Sequence, residues 1–347
     1  MRHPPLQPWH IDAPHRSAAL GKLELESGEA IDDYRQSYVT HGRLDRERSN
    51  VVLVCTAITG THHRLDHLIG PNRALDPDRW FIVATDAIGN GLSTSPSTSR
   101  TQPRAQFPRY TIRDMIAAQR RLLAEHMGVD RVAVVVGASM GGMQALQWAV
   151  SQPSEVGAVV ALTAPGRTSA WSVAVNQATR ACLMADAAWN GAEFTSRPDR
   201  GWRAWALVQR MLASRSPKAL ELLATNAASI ADIGDAMIES TWATDFDALD
   251  FLYQSWGYDA HDVGCTPGFG ADTERALASI SCPALLLAPA VDLYNPADDV
   301  RRTCRMIRNG TFVEIPSDQG HQATANASAA DSAFLNDEIA RFLRRIS

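Results

Sequence analysis

Residues 131–150 read RVAVVVGASMGGMQALQWAV. The opening RVAVVV is a short apolar run, the pattern of a strand buried on both faces of a parallel sheet. Residues 140–150 read as a helix with small residues at its start. Between them, Gly137-Ala138-Ser139-Met140-Gly141 matches G-x-S-x-G, in the strand–turn–helix context that this motif requires. A sharp turn there lifts the Ser139 side chain clear of the backbone, and only very small neighbours fit beside it. The helix starting at Met140 aims its positive end at the point where an oxyanion would form. Ser139 is therefore the expected nucleophile, and the backbone N–H of Met140 one oxyanion donor.

Outward from this turn, apolar runs recur at 51–57 (VVLVCTA), 80–85 (WFIVAT), 158–162 and 284–287, with a weaker one at 311–315. Two further strands are expected around 22–25 and 35–40. Helical periodicity appears at 112–127, stopped by Gly128, and at 332–346. Strands alternating with helices predict an α/β fold with a mostly parallel central sheet flanked by helices. The rhythm breaks between 167 and 279, where helical patterns recur at 172–186, 203–214 and 218–227 without a convincing buried strand. This stretch, holding Trp171, Trp189, Trp202, Trp205, Trp242 and Trp256, reads as a helical lid inserted into a core of residues 1–166 and 280–347. Its tryptophans suit core packing, and some suit a pocket wall.

A serine hydroxyl needs a base, and the partners of such an elbow follow it in the order Ser, Asp/Glu, His. Only His261 and His321 come after Ser139. His321, in PSDQGH between the last strand and the last helix, is the expected base; His261 reads as a hydrogen-bonded structural histidine. The acid expected after strand 284–287 is Asp292, in AVDLYNP, ahead of Asp298 and Asp299 at a helix start. A second oxyanion donor should come from the loop after 51–57, Ala57-Ile58-Thr59-Gly60, and the N–H of Ile58 is assigned to it.

Composition narrows the rest. With 347 residues, 45% hydrophobic and 20% charged, the chain is long enough to bury a large core without disulfides or metals. A net charge of −5 argues against a nucleic-acid partner, and no apolar run of membrane-spanning length occurs. Cys55, Cys182, Cys265, Cys282 and Cys304 are scattered and lack CxxC spacing, as suits reduced thiols in a cytoplasmic protein. His62, His63 and His67 invite a metal reading, but no acidic or Cys partner joins them at ligand spacing. No metal and no cofactor are expected.

These residues resemble the homoserine O-acetyltransferase family of α/β-hydrolases. The resemblance rests on Tyr38-Val39-Thr40-His41-Gly42, on Cys55-Thr56-Ala57-Ile58-Thr59-Gly60 and on Gly137-Ala138-Ser139-Met140-Gly141-Gly142-Met143-Gln144. Asp292-Leu293-Tyr294-Asn295-Pro296 and the PSDQGH string ending at His321 complete it. It covers most of the chain and implies an acyl-enzyme on Ser139, a Ser139–Asp292–His321 triad, a helical lid forming a tunnel and, in many members, a homodimer. Three family features for substrate recognition bear on this chain. The acetyltransferases place an Asp directly after the catalytic His to bind the homoserine ammonium; here it is Gln322, and a neutral amide binds an ammonium far less well. They place an Arg in the lid for the substrate carboxylate with a Tyr seven residues on. Arg210 matches the Arg, but Pro217 stands in place of the Tyr. Arg210 equally suits a solvated helix face. Gly89-Asn90-Gly91-Leu92-Ser93-Thr94-Ser95-Pro96 resembles the branch that hydrolyses simple esters.

The first expectation is therefore hydrolysis of a small carboxylic, acetyl-type ester. The second is O-acyl transfer from acetyl-CoA or succinyl-CoA to homoserine or a related amino-acid alcohol. Either partner is a small-molecule ester or acyl donor. A ligand-binding protein on a hydrolase scaffold is a third reading, against which the complete set of catalytic residue types argues.

Overall fold

Five consecutive apolar residues at Val51–Cys55 and the run at Val134–Ala138 become strands in which every residue is buried. A computed structural model describes His3 and residues 5–346, apart from the side chains of residues 241–243. Among the described residues eight strands form one sheet: β1 (Arg16–Glu24), β2 (Ala30–His41), β3 (Val51–Cys55), β4 (Phe81–Thr85), β5 (Val134–Ala138), β6 (Val159–Leu162), β7 (Ala284–Pro289) and β8 (Gly310–Ile315). Their spatial order is β1-β2-β4-β3-β5-β6-β7-β8. The β1–β2 and β2–β4 pairs are antiparallel and all others are parallel, the mostly parallel sheet that the sequence predicts.

Among the described residues ten α-helices cover the sheet and its C-terminal end. Helix α1 (Ile112–Arg121) opens on a Thr111–Asp114 capping box, and α2 (Met140–Ser151) follows Ser139 directly. Between β6 and β7 lie α3 (Ala170–Met184), α4 (Asp199–Ala206), α5 (Pro217–Ala224), α6 (Ile230–Ala243), α7 (Ala248–Asp259) and α8 (Thr273–Ala278). Helices α9 (Ala297–Met306) and α10 (Ala329–Arg345) close the fold. Two apolar cores form, one on each face of the sheet, and α10 seals the second with Leu335, Ile339, Phe342 and Leu343. Among the described residues no helix is long and apolar enough to cross a membrane, and all five cysteines are free thiols.

Several boundaries differ from the sequence reading. Strand β1 begins at Arg16 rather than near residue 22, because Ala18, Leu20 and Leu23 alternate inward across two register shifts. The helix expected over 112–127 passes into a π-helical turn at Leu122–His126. The helix expected over 203–214 starts at Asp199 and turns π-helical at Leu207–Ala213. Helix α7 went unread because Ala248, Leu249, Phe251, Leu252, Tyr253, Gln254 and Ser255 are all buried, so no polar face marks its period.

Two of the elbow glycines are required by contact. A Cβ on Gly141 would lie 2.2 Å from the Cys55 carbonyl oxygen of β3, and one on Gly137 2.1 Å from the Gly141 carbonyl oxygen. Gly141→Ala is therefore expected to destabilise the protein by about 1–3 kcal/mol, read from the urea unfolding midpoint. An unchanged midpoint would show that β3 yields at no cost. A second expectation concerns acid. Burial pushes His261 from 6.5 down to about 4, and its ring contacts the Pro165 carbonyl at 3.3 Å. The native chain keeps this ring neutral, whereas the unfolded chain protonates it below pH 6.5. Stability is thus lost as pH falls from 6.5 toward 4, by up to about 1.4 kcal/mol per pH unit. Urea midpoints at pH 7.5 and 5 should diverge less for His261→Gln than for the parent chain.

Candidate active site

Ser139 sits between β5 and α2 with φ 55° and ψ −123°, a conformation that non-glycine residues rarely adopt. Its N–H donates to the Leu162 carbonyl at 2.8 Å, which ties the turn to β6. The side chain is buried, with the Tyr258 hydroxyl as a polar neighbour of Ser139 Oγ. Gln144, one turn along α2, donates from Nε2 to the Thr56 carbonyl at 3.1 Å. Gln119 in turn donates to Gln144 Oε1 at 2.6 Å. This buried amide pair holds α2 to the loop after β3.

Asp292 and His321, the expected acid and base, follow the C-terminal ends of β7 and β8. Asp292 Oδ2 lies 2.8 Å from His321 Nδ1. Asp292 Oδ1 accepts from the N–H groups of Tyr294 at 2.8 Å and Asn295 at 2.9 Å. With four acceptor sites per carboxylate, Asp292 is thereby fixed in plane and left one oxygen for the imidazole. Asn295 also donates to the Thr163 carbonyl at 2.7 Å and accepts from the Tyr258 hydroxyl at 2.7 Å. Asp298 and Asp299, the alternatives for the acid, lie in the first turn of α9. The Tyr294 ring meets His321 edge-on at 5.0 Å.

Ser139, Tyr294, His321 and Gln322 line one cavity of about 630 Å³ together with Ala57, Ile58, Thr59 and Gly60. Met140, whose N–H belongs to the first turn of α2, is buried beside Ser139. Thr59 has φ 57°, and its N–H is accepted by Gln254 Oε1 of α7 at 3.0 Å. Gln254 also donates to the Ile88 carbonyl at 3.2 Å, so α7 pins the loop bearing Ile58.

Arg210 lines the same cavity, with Nη1 3.3 Å from Ser240 Oγ. Sequence reasoning missed Arg64 and Arg215, which line it too. The Nε atoms of both are buried without a hydrogen-bond partner. Burial lowers Arg64 and Arg210 to about 10, so both remain cationic at neutral pH. The signal for Arg64 was present, as a cation three residues past Thr61, directly after a loop assigned to the oxyanion. Arg215 carries no such local mark. Of the tryptophans, Trp205 lines the cavity while Trp202 packs in the core; the side chain of Trp242 lies outside the described residues. Gln322 donates its N–H to the Ser214 carbonyl at 3.2 Å, and Ser216 Oγ donates to the Asp318 carbonyl. Residues 214–216 thus anchor the His321 loop.

His62, His63 and His67 do not line this cavity. The expectation that they lack acidic partners is corrected: His63 Nδ1 is 2.6 Å from Asp66 Oδ2, and His62 Nδ1 is 2.9 Å from Asp86 Oδ2. Asp86 stands 24 residues downstream of His62, on the loop after β4, and only the β3–β4 pairing brings it close.

With this geometry in view, known proteins place the chain. Residues 50–199 match the family model of the alpha/beta hydrolase fold. The homoserine O-acetyltransferase of Nostoc punctiforme is 30% identical, over 91% of this chain and 92% of its own. An acetylester hydrolase from Corynebacterium glutamicum superposes with TM-score 0.90 at 26% identity, covering 95% of this chain and 96% of its own. The acetyl esterase MekB superposes with TM-score 0.90 at 28% identity, covering 95% and 97%. From its identity to curated relatives along nearly its whole length, the chain belongs to the homoserine O-acetyltransferase family of the α/β-hydrolase superfamily.

Proposed function

We propose that this protein hydrolyses small carboxylic esters of acetyl type through an acyl-enzyme on Ser139. His321 Nε2 takes the Ser139 proton as Oγ attacks the ester carbonyl, and Asp292 holds the Nδ1–H tautomer and stabilises the imidazolium. The N–H groups of Met140 and Ile58 receive the oxyanion. His321 then protonates the departing alcohol, activates a water and returns a proton to Oγ as the carboxylic acid leaves. Residues 167–279 act as a lid, a reading supported by the cavity residues they contribute, including Trp205, Arg210 and Arg215.

The observation that carries the choice of water as acceptor is Gln322. It lines the cavity next to His321 and presents a neutral amide where an ammonium-binding carboxylate would favour homoserine. The two acetyl ester hydrolases with TM-scores of 0.90 support the same choice. Transfer to an amino-acid alcohol is the second reading, favoured by Arg210 in the cavity wall, where it would meet a substrate carboxylate.

Stopped-flow release of p-nitrophenol from p-nitrophenyl acetate, with and without L-homoserine, separates the two. Hydrolysis predicts a burst followed by steady turnover in water alone. A burst that stalls until homoserine is added, with O-acetylhomoserine as product, would replace it with the transferase reading. Ser139→Ala should lower kcat roughly 10⁴-fold or more while leaving the unfolding midpoint near that of the parent. Arg210→Gln should change turnover of the neutral ester little. For an ester bearing a free carboxylate it should raise KM by about 10-fold or more, the worth of one charged hydrogen bond. Equal effects on both esters would remove Arg210 from substrate recognition.

A further inference from the structure

A second cluster of chemistry-bearing side chains lies on the far side of the loop after β3. The N-terminal segment brings His3 against the 3₁₀ helix His62–Leu68. His3 Nε2 is 3.4 Å from His62 Nε2 and 3.2 Å from His63 Nε2. Each of the three rings offers a nitrogen within 4.8 Å of the others. His62 and His63 are buried and His3 is exposed.

The opposite ring nitrogens decide what these atoms can do. His62 Nδ1 faces Asp86 Oδ2 at 2.9 Å and His63 Nδ1 faces Asp66 Oδ2 at 2.6 Å. A carboxylate only accepts, so each Nδ1 carries a proton, and Nε2 is the nitrogen that each ring turns toward His3 and that can offer a lone pair to a metal. A single N–H on His3 Nε2 can serve one of these lone pairs well, not both. A cation at the centre satisfies all three. Ligands on a tetrahedral zinc with Zn–N of about 2.0–2.1 Å stand roughly 3.3 Å apart, the separation of the two contacts to His3. Carboxylates behind ligating histidines fix tautomer and ring orientation, as Asp86 and Asp66 would here.

Both carboxylates are themselves held. Asp66 Oδ2 accepts from the Ile11 N–H at 2.8 Å. Asp86 accepts from the Ser37 hydroxyl at 2.5 Å, the His62 N–H at 2.9 Å and Asn90 Nδ2 at 2.9 Å. The overlapping group His15, His62 and Asp86 is a poorer candidate, because its His62 nitrogen already bonds Asp86. A cleft of about 390 Å³ opens beside His3, His62 and His63, with Asp12 and His15 on its wall and room for a water as fourth ligand.

We propose that His3, His62 and His63 form a binding site for a divalent transition-metal ion of zinc type, outside the Ser139 cavity. The ion fastens residue 3 to the loop after β3 across an intervening 58 residues, which are otherwise closed against chain entropy. Its reach extends to the oxyanion loop, since Asn90, bonded to Asp86, also donates to the Gly60 carbonyl at 3.1 Å. Three neutral imidazoles suit zinc, cobalt or nickel and disfavour calcium or magnesium, which take oxygen donors.

The test uses the full chain without an affinity tag, stripped with a chelator and dialysed. Zinc chloride is titrated by calorimetry, and cobalt chloride by visible absorption. One zinc per chain is expected, with the intense visible bands of tetrahedral cobalt. His3→Ala, on an exposed terminal segment and harmless to the fold, should abolish the cobalt bands and weaken zinc at least tenfold. Asp66→Asn should weaken it by about 10–100-fold. No zinc uptake at one equivalent, or uptake unchanged in His3→Ala, would overturn the site. Neither outcome depends on ester turnover.

Discussion

The backbone of Ser139 is the constraint on which the site depends. A serine at φ 55° is strained, and it persists because the surroundings leave no alternative. The Ser139 N–H is committed to β6. Gly141 faces the Cys55 carbonyl of β3 so closely that a Cβ there would force a shift. The Gln144 side chain then locks the helix to the same strand end. The strain is offset by these contacts to β6 and β3, and its result is a hydroxyl in the wall of the cavity.

Strand order does the rest of the assembly. Residues 139, 292 and 321 are far apart in sequence, but β5, β6, β7 and β8 are neighbours and parallel, so their C-terminal ends share one edge. Crevices at that edge are where ligands bind in open α/β sheets. Asn295 joins three pieces there: the end of β6 through Thr163, α7 through Tyr258, and the Asp292 loop. The helices between β6 and β7 supply the opposite wall and three points of support. These are Gln254 beneath the Ile58 loop, Ser214 behind Gln322 and Ser216 against the Asp318 carbonyl. A change in packing of these helices therefore acts on the Ile58 and His321 loops as well as on pocket shape.

What was legible in the sequence follows from how each feature encodes itself. Buried parallel strands announce themselves as unbroken apolar runs, and the elbow carries a motif, so β3 to β7 and Ser139 could be read directly. His321 and Asp292 followed from chain order and from strand ends. Helix α7 could not be read, because burial all round erases its period, and with it went Gln254 and Tyr258. Arg64 and Arg215 are single cations whose meaning depends on which cavity they face. The same holds more strongly for the histidine cluster: His63 and Asp66 are three apart, yet Asp86 and His3 join them only through strand pairing and docking of the N-terminal segment. Local chemistry is written locally; convergence across 58 intervening residues is not.

The central claim is that Ser139 carries the acyl group and that water removes it. Rapid quenching during turnover of p-nitrophenyl acetate, followed by mass spectrometry of the peptide containing Ser139, measures this directly. A single acetyl group on Ser139, disappearing in buffer alone as acetate is released, is the predicted result. An unlabelled Ser139 during steady turnover, or an acetyl group that persists until an alcohol acceptor is supplied, would contradict it.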